Sequence, residues 1–366
     1  MDYFNGKHIL VTGACGTIGA ELIRVLLTDE SYQLSEVIGI DNNESELFFL
    51  DQRYLDDPRA RFFMADLRDA EKLMRSMQGV DIVFHVAALK HVVLCERSPF
   101  EAVQTNIHGV QNIILAARDS GVERVIFTSS DKAVNPTNVM GTTKLMGERL
   151  MTAANSNARG EETIFASTRF GNVLGSNGSV IPIFRKQIQK GGPVTVTHPE
   201  MTRFIMTVEE SVRLVIDSAT VAKGGEVFIT KMPVINIKDL AEVMIDELAS
   251  TYGHDAANIE ITEIGTKPGE KLYEELMSDE ETRRSVELEN YFAVLPAFRG
   301  VYRAIDYQYS DQLSDSVDDP YVSAEQKSLT KVELRDYLIN NHLLEEVDCS
   351  DKTTDQRYWP GDKKES

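Results

Sequence analysis

The chain predicts an α/β protein: a doubly wound parallel sheet followed by a smaller α/β lobe. Three observations lead there. From residue 7 to about 168, short β-rich apolar runs alternate with longer amphipathic stretches, the rhythm of βαβ units. Several of the runs are almost continuously apolar, as strands covered by helices on both faces must be. Between the first run and the first amphipathic stretch lies "GACGTIG", a glycine-rich strand-to-helix turn.

The runs are, in order, "HILVTG", "EVIGID", "RFFMAD", "DIVFHVAA", "RVIFTSS" and "TIFASTRF". Helical patterns between them include "GAELIRVLLTD", "DAEKLMRSM" and "PFEAVQTNIHGVQNIILAARDSG", the last closed by a Gly that can cap it. Residues 1–170 form this first unit, to which some later segments return. Beyond it the strand-like pieces shorten ("PVTVT", "GEVFIT") and Gly and Pro become frequent ("GSNGSVIP", "KGGPVTV", "GTKPGEK"). Two amphipathic helices follow the change, "TVEESVRLVIDSATVA" and "NIKDLAEVMIDELAS". Residues 171–300 read as a lobe over the open end of the sheet, where α/β proteins bind ligands. Residues 301–366 read as an acidic extension with one helix, "SLTKVELRDYLINNHLL", whose Thr330 and Glu333 are spaced as a capping box. The last sixteen residues are expected to fray.

Composition narrows the function. The formal net charge is -20, from 38 basic and 58 acidic residues, which argues against binding nucleic acid or anionic lipid. An anionic ligand must therefore be held by a local positive site. Cys15, Cys95 and Cys349 are odd in number and widely spaced, so a disulfide framework is not expected and a reduced, cytoplasmic protein is. The start "MDYFNGKHILVTG" carries no signal-like pattern, and no run approaches the length that spans a bilayer, so no membrane insertion is expected. His91 and Cys95 share a helical spacing, but no third ligand stands nearby and no metal site is expected.

Gly13, Gly16 and Gly19 give the glycine turn its meaning. The first permits a tight turn, the second lets backbone N–H groups approach a pyrophosphate, and the third lets helix and strand pack closely. Thr17 and Ile18 open the helix, whose N-terminus carries partial positive charge. This makes the unit a Rossmann-type dinucleotide-binding domain. Asp41 ends the second run, where a carboxylate bonds a ribose 2′-hydroxyl and repels a 2′-phosphate, favouring NAD over NADP. The plainer alternative is a turn-forming Asp before Asn42. Asp66 and Leu67, ending the third run, suit the adenine edge, unless Asp66 is a helix cap. Ala87 and Ala88, which end the fourth run, complete the cofactor set.

Taken together, "TGACGTIG", "VAALKHV", "NIHGVQN", "SSDKAVNPTNVMGTTK", "TRFGNVLGSNGSVIP", "THPEMTRFIM" and "KPGEKLYEELMS" resemble the extended short-chain dehydrogenase/reductases. More narrowly the chain is similar to the nucleotide-sugar 4,6-dehydratases that act on UDP-N-acetylglucosamine in polysaccharide biosynthesis. The resemblance covers about residues 5 to 295. It implies Ser130 at the position of the active-site hydroxyl, Lys144 at that of the active-site lysine, and Met140 where most of the superfamily has a catalytic Tyr. A thioether is at best a weak hydrogen-bond acceptor and cannot take up the proton. Asp131 and Lys132 supply a base and an acid beside the nicotinamide position, as elimination of water across C5 and C6 requires. The Met-for-Tyr pattern resembles that of the dehydratases that retain C5 configuration.

For the sugar nucleotide, the resemblance implies Asn172 and the turn holding Ser179 and Val180. Arg203 is the candidate for the diphosphate, because a guanidinium forks onto phosphate oxygens. Its alternative is a structural salt bridge. Glu270, with Lys271, is expected at the nucleoside end, and Lys90 near the sugar. A homo-oligomer, dimer or hexamer, is implied as well, with the stretch "PFEAVQTNIHGVQNIILAARDS" as a contact. Two rival functions remain: a 4-epimerase, which needs no acid at C6, and a non-catalytic NAD-binding sensor or scaffold, suggested by the missing phenol.

Overall fold

The computed structural model describes residues 2–155, 163–176, 179–266, 269–298 and 305–345. All six apolar runs are strands: β1 (His8–Thr12), β2 (Glu36–Asp41), β3 (Ala60–Met64), β4 (Ile82–His85), β5 (Arg124–Ser130) and β6 (Ile164–Phe170). The later strands are β7 (Asn172–Val173), β8 (Val194–Val196), β9 (Thr202–Met206), β10 (Val227–Thr230), β11 (Val234–Asn236), β12 (Ile261–Glu263), β13 (Glu275–Met277), β14 (Ser285–Leu288), β15 (Tyr291–Val294), β16 (Gln312–Ser314) and β17 (Tyr321–Val322). The central sheet runs β3-β2-β1-β4-β5-β6-β10 in parallel and continues antiparallel through β15, β14 and β16.

Alternation along the strands divides the core in two. Ile9, Val11, Ile82, Phe84 and Ile126 pack with the helices Thr17–Thr28 and Val208–Val221 on one face. Leu10, Val83, Val125 and Phe127 pack with Ala70–Ser76, Gly109–Asp119 and Val139–Ala154 on the other. Successive side chains of a strand point to opposite faces, so near-continuous apolar runs are what two covered faces require. A third core joins β8, β9 and β11 to the helices Val180–Gln189, Ile237–Leu248 and Lys331–Asn340. The Thr330–Glu333 capping box is formed.

Three features depart from the sequence pattern. The pattern over 99–119 is not one helix: Pro99–Val103 and Gly109–Asp119 flank a π-helical turn, Gln104–His108. The wider turn carries the buried Asn106, whose side chain accepts from the Leu89 N–H (2.8 Å) and donates to Leu89 O and Thr143 Oγ1 (3.0 Å each). Secondly, the later segments expected to return to the first unit make up much of 171–300, through the helix Val208–Val221 and strands β10, β14 and β15. Finally, the acidic extension is more than one helix. It adds β16 to the sheet edge and pairs β17 with β13. Buried Tyr309 donates to Glu226 at 2.9 Å, and the Tyr321 hydroxyl accepts from Met232 N and donates to Met232 O. The sixteen terminal residues expected to fray lie outside the described residues.

The ladders set the C-terminal ends of four strands side by side, pairing Thr12 with His85, His85 with Phe127 and Ser130 with Phe170. The candidate site opens there.

Candidate active site

A cavity of about 520 Å³ lies over these strand ends, and a second of about 220 Å³ adjoins it, sharing Asp131, Lys132 and Asn172. At one end of the larger cavity, Gly13 turns the chain at φ +71, and a Cβ there would stand 2.8 Å from the Ala87 backbone. Gly19 lies so close under the turn that a Cβ would overlap Gly13 O. The helix Thr17–Thr28 has neither a side-chain cap nor an acidic residue in its first turn. Its N–H groups and dipole are thus available to an anion. Gly16, Thr17, Ile18, Leu67, Ala87 and Ala88 line the same cavity.

Asp41 is there too, its carboxylate oriented by the N–H groups of Cys15 and Asn43, each at 3.0 Å. It therefore makes the expected turn bond while still bordering the cavity. Asp66 borders the cavity and is gripped by the Arg68 guanidinium at 2.7 and 2.9 Å, which holds its carboxyl below the usual range. The cap of the following helix is Asp69, not Asp66. One element here escaped the sequence reading. Thr12 Oγ1 accepts the N–H groups of Val86 and Ala87 at 3.1 Å and sits 2.8 Å from His85 Nδ1. Burial drives the His85 pKa down to about 3, so the imidazole is neutral.

At the other end, Ser130 Oγ donates to Asp131 Oδ1 at 2.6 Å, and Lys132 Nζ lies 2.8 Å from Asp131 Oδ2. The Asp131 side chain is 2% exposed and that of Lys132 33%, so the pair is not a solvated surface bridge. Burial opposes the charge on each. The partner outweighs it, holding the Asp131 pKa down and the Lys132 pKa up. Lys144 donates to Thr128 O at 2.9 Å and lies over the Phe127 ring; burial lowers its pKa to about 8 against the pull of Glu148. Met140 borders the cavity and is 4% exposed, packed with Cys95 and Ala102.

The predicted substrate residues divide. Lys90 and Asn172 border the larger cavity, and Arg203 and Glu270 the smaller. Burial lowers the Lys90 pKa. Arg203 spends its donors within the protein, on Thr202 O (2.7 Å), Lys271 O (2.8 Å) and Glu274 (3.2 Å), with Glu270 at 3.9 Å. Such a guanidinium acts on a neighbouring anion through its charge and not as a free fork. Ser179 and Val180 start the helix Val180–Gln189 and line neither cavity. Asn177 and Gly178 of the same turn lie outside the described residues.

Sequence reasoning passed over Glu274. It is buried, accepts from Asn172 Nδ2 at 2.6 Å, and lies 3.4 Å from Lys132 Nζ. Burial and the Asp131 charge push its pKa up to about 7, against Lys132 and Arg203. In "KLYEELMS" nothing local separates Glu274 from Glu275; what sets the first apart is its backbone bonding to Ser323, whose N–H donates to Glu274 O at 2.8 Å and whose hydroxyl accepts the Glu274 N–H. Among the described residues no group of three or more His, Cys, Asp or Glu is placed to hold a metal ion. No helix among them is long and apolar enough to cross a membrane.

The chain is 52% identical over 295 residues to a Methanocaldococcus jannaschii protein named only as an uncharacterised membrane protein, covering 81% of this chain and 87% of that one. It is 39% identical over 305 residues to the inverting UDP-N-acetylglucosamine 4,6-dehydratase of Campylobacter jejuni, covering 83% and 87%. A UDP-glucose 4-epimerase of Rickettsia bellii is 37% identical over 346 residues, covering 94% and 98%. Among solved structures, Pen from Bacillus thuringiensis superposes with a TM-score of 0.84 at 42% identity, covering 93% of this chain and 99% of that one. With a family model matching residues 9–296 and these relatives spanning most of its length, the chain belongs to the polysaccharide biosynthesis protein family, within the extended short-chain dehydrogenase/reductases.

Proposed function

We propose that the protein is an NAD-dependent 4,6-dehydratase that converts UDP-N-acetylglucosamine to a UDP-4-keto-6-deoxy-N-acetylhexosamine, retaining C5 configuration, for surface polysaccharide or glycan synthesis. The observation that carries this reading is the Asp131–Lys132 pair, its carboxylate buried, at the junction of the two cavities.

The dinucleotide fits the residues present: a glycine turn in which a Cβ at Gly13 or Gly19 would clash, an uncapped helix N-terminus, and an Asp41 carboxylate fixed by two backbone N–H groups. Gly13, Gly16, Thr17, Ile18 and Asp41 would hold its pyrophosphate and ribose, Asp66 and Leu67 its adenine side, and Ala87, Ala88 and Lys144 its nicotinamide side. When bound, NAD supplies a hydride acceptor for C4 that gives the hydride back at C6.

The chain's own residues manage the protons. Asp131 accepts the 4-hydroxyl proton, directly or through Ser130, without the phenol that Met140 replaces. Hydride loss acidifies that hydroxyl, so a carboxylate suffices as base. Once that proton has passed on to a neighbouring group or solvent, Asp131, a carboxylate again, takes the C5 proton while Lys132 protonates the leaving C6 hydroxyl. A single carboxylate that removes and returns the C5 proton works from one face, which retains configuration. The Campylobacter relative is named as inverting, so configuration is the finer part of this proposal, and a proton spectrum of product formed in labelled water reads it.

The epimerase reading has the support of the Rickettsia relative, but epimerisation at C4 gives a buried acid–base pair at C6 nothing to do. A sensor would need neither. The test is Asp131→Asn: it is expected to bind NAD as the parent does and to release no dehydrated product on incubation with UDP-N-acetylglucosamine, read by mass. Near-normal water loss by that variant refutes the assignment, and an isomer of unchanged mass from the parent protein identifies an epimerase.

A further inference from the structure

Glu274 meets the acid–base pair from the far side. Its carboxyl lies 3.4 Å from Lys132 Nζ, 3.2 Å from Arg203 Nε and 2.6 Å from Asn172 Nδ2, and within hydrogen-bonding reach of Asp131. Its backbone N–H donates to Ser323 Oγ at 2.9 Å, which fixes the backbone just ahead of β13. The charged groups around it are Asp131, Lys132 and Arg203, with Glu270 beyond Arg203. Two carboxyl groups can hydrogen-bond to each other only when one carries a proton. Burial and the Asp131 charge favour that proton on Glu274, and the same neighbours keep Asp131 ionised. A group that titrates near neutral pH can both take and give a proton within a turnover.

Resting on the dehydratase reading, we propose that Glu274 stores the proton that leaves the substrate's 4-hydroxyl and passes it to Lys132 once water has been eliminated. The proton count calls for such a store. Two protons leave the sugar, from O4 and from C5; one departs in the water and one returns to C5. In the form ready for reaction Asp131 and Glu274 are ionised and Lys132 is charged. The O4 proton passes by way of Asp131 to Glu274 as the C4 hydride goes to the bound nicotinamide. Asp131, a carboxylate again, takes the C5 proton. The freed electron pair forms the C5–C6 double bond, and the C6–O bond breaks with a proton from Lys132. Glu274 then recharges the neutral Lys132 amine. Asp131 returns its proton to C5 as hydride comes back at C6, and all three groups regain their starting charges.

The experiment compares the NAD-loaded parent enzyme with Glu274→Gln and Glu274→Asp, using UDP-N-acetylglucosamine. The Gln variant is expected to turn over at least about a hundredfold more slowly, at the low end of what one positioned proton carrier contributes. The limb of the kcat–pH profile near 7 is expected to vanish with it. In infrared difference spectra across that pH, it should also lose a protonated-carboxyl band. The Asp variant keeps a carboxyl and is expected to restore the limb, which a merely structural side chain would not do. A limb that persists in the Gln variant, or stays absent from a folded Asp variant, overturns the inference and leaves the dehydratase reading standing. A parent enzyme that eliminates no water sinks the reading itself, and the inference with it.

Discussion

Arg169 and Glu148 meet through two parallel hydrogen bonds, Nε to Oε1 at 2.9 Å and Nη2 to Oε2 at 2.8 Å, with both side chains almost wholly out of water. The same guanidinium holds Glu281 at 2.8 Å through Nη1 and Nη2 and the Leu276 carbonyl at 2.8 Å. Glu148 stands one helical turn from Lys144 and raises the pKa that burial lowers. The triad thus ties the sheet to the helix that carries Lys144. Glu148→Gln leaves Arg169 short of one buried counter-charge and is expected to destabilise the fold by about 3–5 kcal/mol. Denaturant titration of the parent and the variant measures it. Because Lys144 loses a favourable charge, its titration in the variant is expected below the parent's value of about 8.

Acid should find the same cluster. Burial works against the Glu281 carboxylate, but Arg169 prevails and lowers its pKa to about 2. A carboxyl lowered on folding adds stability that is present above its unfolded value and lost as the pH falls through the folded one. The loss is therefore expected between the ordinary range near 4.5 and about 2. A lowering of this size is worth roughly 3 kcal/mol. Denaturation midpoints followed through that window should fall steeply for the parent and less steeply for Glu281→Gln, which has no proton to gain.

How much of this was legible depends on where the information sits. Strands β1 to β6 announce themselves because a strand covered on both faces must be apolar residue after residue, and the glycine turn because contacts under 3 Å admit no Cβ. Asp131, Lys132, Met140 and Lys144 were singled out by motif, since one short segment carries them all, and they border one cavity. Other parts are relations between distant segments. The π-helical turn serves Asn106, whose partners Leu89 and Thr143 lie 17 and 37 residues away. Strands β14 to β16 are too short for periodicity to assign them to the main sheet. Glu274 is set apart from Glu275 only by its bonds to Ser323, 49 residues later, and Tyr309 and Tyr321 sit in a stretch whose charge reads as tail. Arg203 was found as a residue but not as a role, because its partners are mostly backbone carbonyls, which no side-chain pattern reveals.

Position 140 allows the sharpest test of a chemistry without phenol. Met140 borders the larger cavity while packing on Cys95 and Ala102, and its sulfur can hold no proton in either role. If its part is to fill volume beside the sugar, a branched hydrocarbon of similar size should serve. Met140→Leu is expected to cost less than about 1.5 kcal/mol in stability, as volume-conserving core exchanges do. It should keep dehydration of UDP-N-acetylglucosamine within about threefold of the parent, a difference of under 1 kcal/mol in barrier. Met140→Tyr must place a larger ring and a hydroxyl in the same packed space, at a cost of about 1–3 kcal/mol. Paired measurements of product formation and thermal stability separate the two outcomes. A Leu variant that folds like the parent but forms product a hundredfold more slowly would mean that the sulfur itself takes part, and the division of labour among Asp131, Lys132 and Ser130 would have to be redrawn around it.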